Sequence, residues 1–153
     1  MKVYLIQHGQ SVSEEIDHSR PLSEKGQKDI EKIAQWLKKL EIKVSIIYQS
    51  GKKRATQTAE IINSKITSLN GIKQRDGLAP NDSVDPWVNE LNKIGEDLII
   101  VSHLPFLSRL TSRLLNKKED DEIVAFEPGG VVCLERFKDT QWWIRWIVLP
   151  EFF

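Results

Sequence analysis

Val3-Tyr4-Leu5-Ile6-Gln7-His8-Gly9-Gln10-Ser11 is the stretch on which the reading of the chain turns. Its first four residues are apolar, β-branched or aromatic, and too few for a helix, so they read as a buried strand. The run stops at Gln7 and His8, and Gly9 lets the backbone turn sharply. An imidazole is thereby placed at the carboxyl end of a central strand. In open α/β sheets that edge is where ligands bind. The plain alternative is a strand that merely ends in a polar histidine.

The same pattern recurs further on. Leu98 to Val101 is the clearest buried strand, and it runs into Ser102-His103-Leu104-Pro105 with a helix expected from about Pro105 to Leu115. Val44 to Tyr48 reads as another strand. It ends in Gln49-Ser50-Gly51 ahead of a helix from about Lys53 to Ile66. Ser23 is placed to N-cap a helix from Glu24 to Leu40. Ile30, Ile33, Ala34, Leu37 and Leu40 form its apolar stripe, and the lysines and glutamates between them form a solvated face. Gly71 to Arg75 suggests a short strand and Asp76 to Asp85 a loop. Pro86 suits the first turn of a helix carrying Trp87, Val88, Leu91 and Ile94, closed by Gly95. From Ile123 the pattern alternates. Val131 to Phe137 and Trp142 to Leu149 predict a hairpin. Trp142, Ile144, Trp146 and Val148 are expected on one face and Trp143, Arg145, Ile147 and Leu149 on the other, both faces reading as sheet core. The order predicts an α/β fold: a three-layer αβα sandwich whose mostly parallel sheet gains antiparallel strands from the C-terminal hairpin, toward an edge.

The 153 residues fit a single domain, 1–153. Lys plus Arg and Asp plus Glu both number 22, so no overall charge points to nucleic acid or an anionic membrane. The single cysteine, Cys133, lies in an apolar run and reads as a core residue; no internal disulfide is possible. Met1-Lys2 leads straight into a strand, and no segment has the length of a membrane span. A cytoplasmic protein is the expectation.

His8, Ser50, Arg54 and His103 should meet on one rim of such a sheet. Lys52, Lys53 and Arg54 fall in the first turn of a helix, where cations oppose the dipole. A nearby anion would give at least Arg54 a reason to be there. Backbone amides at two strand-to-helix turns suit a tetrahedral anion such as phosphate. A guanidinium adds forked donors, a second imidazole can hydrogen-bond a phosphoryl oxygen, and an imidazole in line with phosphorus can act as nucleophile. Two histidines without HExxH or a Cys/His set fit zinc less well. Neither a GxSxG elbow nor a Walker loop is present. Asp82 and Asp85 lie in a stretch whose composition already reads as a loop.

Five features together resemble the histidine phosphatase superfamily, and within it the small SixA-type phosphohistidine phosphatases. They are Gln7-His8-Gly9, Arg20-Pro21-Leu22 followed by Gly26, Ser50 with Arg54 and Gln57-Thr58, Leu78-Ala79-Pro80, and Ser102-His103-Leu104-Pro105. The resemblance implies that His8 is phosphorylated in the reaction, that Arg54 and His103 hold the phosphoryl oxygens, and that Gln7, Gly9 and Ser50 line the phosphate site. It implies no metal and no cofactor. It also implies no cap inserted over the site, which suits an exposed phosphohistidine on a protein such as a histidine phosphotransfer domain. Asp82 is the one nominee for a general acid. Two positions depart from the family. Gly51 stands where proline often follows the serine. Gln7 stands where the family has arginine, and losing a charged donor to a transition state can cost ~100-fold or more in rate. A weakened phosphohistidine phosphatase, a module that only binds phosphate or phosphohistidine, and a small-molecule phosphomonoesterase of the same superfamily are therefore all readings of this sequence.

Overall fold

The structure, a computed structural model, describes residues 1–153. In chain order its elements are β1 (Lys2–Gln7), α1 (Glu24–Lys39), β2 (Lys43–Val44), β3 (Ile46–Gln49), α2 (Lys53–Asn63), β4 (Thr67–Ser68), β5 (Ile72–Gln74), α3 (Asp85–Leu91), β6 (Leu98–Ser102), α4 (Phe106–Leu114), β7 (Val131–Lys138) and β8 (Gln141–Val148). Six strands form one sheet in the order β5-β3-β6-β1-β7-β8. The first four in that order are parallel; β7 and β8 join antiparallel. No helix is long and apolar enough to cross a membrane.

The apolar runs of β1 and β6 are continuous because both faces of the sheet are covered. Val3, Leu5, Leu98 and Ile100 pack with Trp87, Phe106, Leu107 and Leu110 on the side of α3 and α4. Tyr4, Ile6, Ile99 and Val101 pack with Ile30, Ile33, Ala55, Ala59 and Ile62 on the side of α1 and α2. Cys133 is fully buried in this second layer, and burial pushes its thiol up to about 12.

Three local expectations are corrected. The strand expected over Val44 to Tyr48 is interrupted at Ser45, because its two halves pair differently: β2 with β4, and β3 with β5 and β6. The second and third helices end earlier than their apolar spacing suggests, at Asn63 and Leu91, while Ile66 and Ile94 still pack against the core from beyond the helix ends. The third correction concerns β8. A register shift sets Cys133 opposite Trp146 and Leu134 opposite Ile144, leaving Arg145 as an extra residue. Such a bulge reverses which side chains face which layer. Trp142 accordingly packs in the α3/α4 layer, and Trp146 and Val148 in the α1/α2 layer. As an edge strand β8 also leaves Trp143, Ile144 and Ile147 exposed rather than in the core.

One close contact positions the rim. The Ser23 hydroxyl caps α1 by accepting the Gly26 amide at 3.0 Å, while the Ser23 amide donates to the Gln10 carbonyl at 2.9 Å. Helix α1 thus abuts the backbone just past His8. A Cβ on Gly26 would lie 2.0 Å from the Gln10 oxygen, and one on Gly9 would lie 2.8 Å from Ile30 Cγ1. Gly26→Ala should therefore cost about 1–3 kcal/mol in denaturant unfolding by overpacking against backbone. Gly95→Ala, which meets nothing within 4 Å, should stay within ~0.5 kcal/mol of the parent. Equal effects of the two would show that the α1–Gln10 contact is not a constraint.

Candidate active site

Strand register builds the site. Gln7 lies opposite Ser102 in the β1–β6 pair, and Gln49 opposite Val101 in the β3–β6 pair. The residues that follow these strand ends, His8, Ser50 and His103, therefore emerge side by side at the carboxyl edge. Arg54 joins them from the first turn of α2, whose N-terminus no side chain caps. The imidazoles of His8 and His103 are 4.9 Å apart between ring centroids. Arg54 Nε donates to His8 Nε2 at 3.2 Å, and Ser50 Oγ lies 2.6 Å from His103 Nε2. All four side chains expected on the rim are brought together.

The His8 ring is held in one tautomer. Its Nδ1 lies 2.8 Å from the carbonyl oxygen of Gly9, which can only accept, so the proton is on Nδ1. The Nε2 lone pair is left facing Arg54. The backbone beneath is tied from α2: the Gly9 amide donates to Thr58 Oγ1 at 3.0 Å, and the Thr58 hydroxyl donates to the Arg54 carbonyl at 2.7 Å. Gln57 Oε1 accepts the Leu22 amide at 2.7 Å. The Gln57-Thr58 pair thus fastens both loops that enclose the rim. On the other side the Ser102 hydroxyl donates to the Leu78 carbonyl at 2.7 Å, anchoring the Leu78-Ala79-Pro80 turn beside the site.

Burial among cations makes both imidazoles weak bases. His8 is pushed down to about 4, by burial first and then by the charges of Arg54 and Arg20, against the opposing Gly9 hydrogen bond. His103, only 2% exposed, is pushed down to about 3 by burial and by His8, Arg54, Lys52 and Arg20. Burial and Arg20 also lower Arg54. A cluster of neutral imidazoles and guanidinium groups with no carboxylate between them is electrostatically arranged for an anion. No three His, Cys, Asp or Glu side chains gather where they could hold a metal.

Gln7 and Asp82 are placed differently. The Gln7 side chain is 8% exposed and its Oε1 is buried without a partner. Asp82 accepts the Ala79 amide at 2.8 Å within its own turn, and none of its hydrogen bonds reaches His8, Arg54 or His103. Arg20, expected only as part of a polar loop, also bears on the site. Its charge bears on His8, Arg54 and His103, and its side chain is fixed by bonds to Ser11 Oγ and the Val12 carbonyl, with φ of +48°. A lone arginine ending an acidic loop was the available signal.

The model of the histidine phosphatase superfamily (branch 1) matches residues 3–80. No curated protein matches the chain in sequence. Among solved structures, the chain is similar to the protein histidine phosphatase SixA complexed with tungstate, at 20% identity and a TM-score of 0.86 over 98% of this chain and 97% of that one. It is similar to the alpha-ribazole phosphatase from Shigella flexneri, at 16% identity and 0.78 over 98% and 96%. It is also similar to the phosphoserine phosphatase from Entamoeba histolytica in complex with 3-phosphoglyceric acid, at 16% and 0.72 over 95% of each chain. At these identities the likeness speaks to the fold.

Acid should expose the buried imidazoles. In the unfolded chain a histidine titrates near 6.5. Between that pH and the lower folded values of His8 and His103, about 4 and 3, the unfolded state binds more protons. Stability then falls as pH drops from about 6.5 toward 4. Denaturant unfolding at pH 7 and pH 5 should show this loss, and His8→Gln should reduce it. An unchanged loss in that variant would mean that His8 is not held neutral by the fold.

Proposed function

The chain belongs to the histidine phosphatase superfamily (branch 1), and from that premise we propose that it is a phosphohistidine phosphatase working through a phospho-His8 intermediate without a metal. The observation that carries this reading is the His8 ring itself: Nδ1–H fixed on the Gly9 carbonyl, and an unprotonated Nε2 within 3.2 Å of the Arg54 Nε. A nucleophilic imidazole must be neutral and aimed, and both conditions are supplied before substrate arrives.

In the proposed reaction Nε2 of His8 attacks phosphorus. The P–N bond to the substrate imidazole breaks as the new P–N bond forms, and the leaving nitrogen takes its proton from solvent. Water then attacks phospho-His8, releasing inorganic phosphate. Arg54 turns its donors from Nε2 to the phosphoryl oxygens, and His103 with Ser50 meets them from the facing side. Imidazole is a good leaving group, so the step makes small demand on a general acid. Asp82 keeps that role only if it leaves the Ala79 amide. The reading takes residues 1–153 as one cytoplasmic domain whose rim carries no cap, and its substrate as a phosphorylated histidine on a protein such as a histidine phosphotransfer domain.

Gln7 favours a second reading, a module that binds phosphate or phosphohistidine without turnover. A neutral amide, buried with one unpartnered oxygen, replaces a charged donor at the end of β1.

Rapid quench with a phosphorylated histidine phosphotransfer domain separates the two. Acid-labile phosphate should appear on His8, and His8→Ala should abolish both label and turnover. Gln7→Arg should raise turnover by ~10- to 100-fold. Binding without label, in a protein that Gln7→Arg converts to an enzyme, would favour the binding module. Faster turnover of small phosphomonoesters than of phosphohistidine would contradict the substrate class.

A further inference from the structure

Away from the rim, an open, mostly polar groove of about 770 Å³ runs between α1 and α2. Trp36 forms part of its wall. This ring is half-buried, held edge-on by Trp146 at 5.0 Å and flanked by Phe153 at 6.0 Å. Ile61 adds apolar surface. Four lysines and one glutamate line the groove. Lys28 and Lys32 are engaged with Glu24 and Asp29, whereas Lys39 and Lys65 form no ion pair. Past Lys65 the adjoining hollow carries Lys38 and Lys43, also unpaired, beside Glu41.

The C-terminal dipoles of α1 and α2 favour lysines at these positions. Packing against the α1/α2 core layer accounts for the buried part of the Trp36 ring, but not for the part left open in the same groove. A fixed aromatic face suits a flat heterocycle. Three residues along α1, on the same face, Lys39 begins the run of free ammonium groups, and that run extends away from the ring. An anion with a flat aromatic head and several linked charges matches both parts.

We propose that the α1/α2 groove binds a nucleoside triphosphate, its base against Trp36 and its phosphates between Lys39 and Lys65. The site is separate from the His8 rim, so the proposal stands whether or not the protein hydrolyses phosphohistidine.

ATP titration with tryptophan fluorescence and calorimetry tests it, on an Arg54→Ala background so that the rim does not compete for phosphate. Saturable binding below millimolar ATP is expected, with quenching lost in Trp36→Leu. Lys39→Glu with Lys65→Glu, both surface changes, should weaken binding at least ~10-fold, as should replacing ATP by inorganic triphosphate. Absence of saturable binding, indifference to the lysine reversals, or equal affinity for inorganic triphosphate would each overturn the proposal.

Discussion

The register of three parallel strands is the constraint on which the site depends. β6 lies between β1 and β3, and its pairing sets Ser102 beside Gln7 and Val101 beside Gln49. A slip of one residue in either pair would turn the apolar side chains to the wrong layer. Both faces of this sheet are packed, so the core that holds the register also holds His8, Ser50 and His103 in one row. Residues nearly a hundred positions apart become neighbours without any direct bond between the two imidazoles.

Cations surround that row, and the energetic consequence is specific. Burial makes a proton on either imidazole costly, and the charges of Arg54 and Arg20 add to this. The free protein holds neutral rings under a positive field, a state whose repulsion an oxyanion would relieve. The same field keeps the His8 Nε2 lone pair available, while Gly9 keeps the proton on Nδ1. Gln7 matters in this setting because it removes one charge from a place where the others are already desolvated.

Much of this was legible in sequence. Continuous apolar runs ending in Gln-His and Ser-His announced parallel strands and the rim edge, and Arg54, a cation in the first turn of a helix, was expected on that rim, where its Nε meets His8. Gln57-Thr58 stood out as part of a motif, but the bonds to Leu22 and Gly9 that explain it appear only in three dimensions. What was not legible was non-local. The bulge at Arg145 depends on β7, so alternation alone assigned Trp146 and Trp142 to one face. The break at Ser45 depends on which strands claim each half. Arg20 was hidden because its place follows from a positive φ and a loop path rather than from periodicity.

The central claim is that two neutral imidazoles and one guanidinium share a single oxyanion. Histidine ¹⁵N NMR at pH 6, with and without tungstate, measures it directly. The account predicts neutral His8 and His103 in the free protein, His8 protonated on Nδ1, and both rings shifting together on adding the anion, with the response lost in Arg54→Ala. A His8 protonated on Nε2, or an anion that moves only one ring, would contradict it.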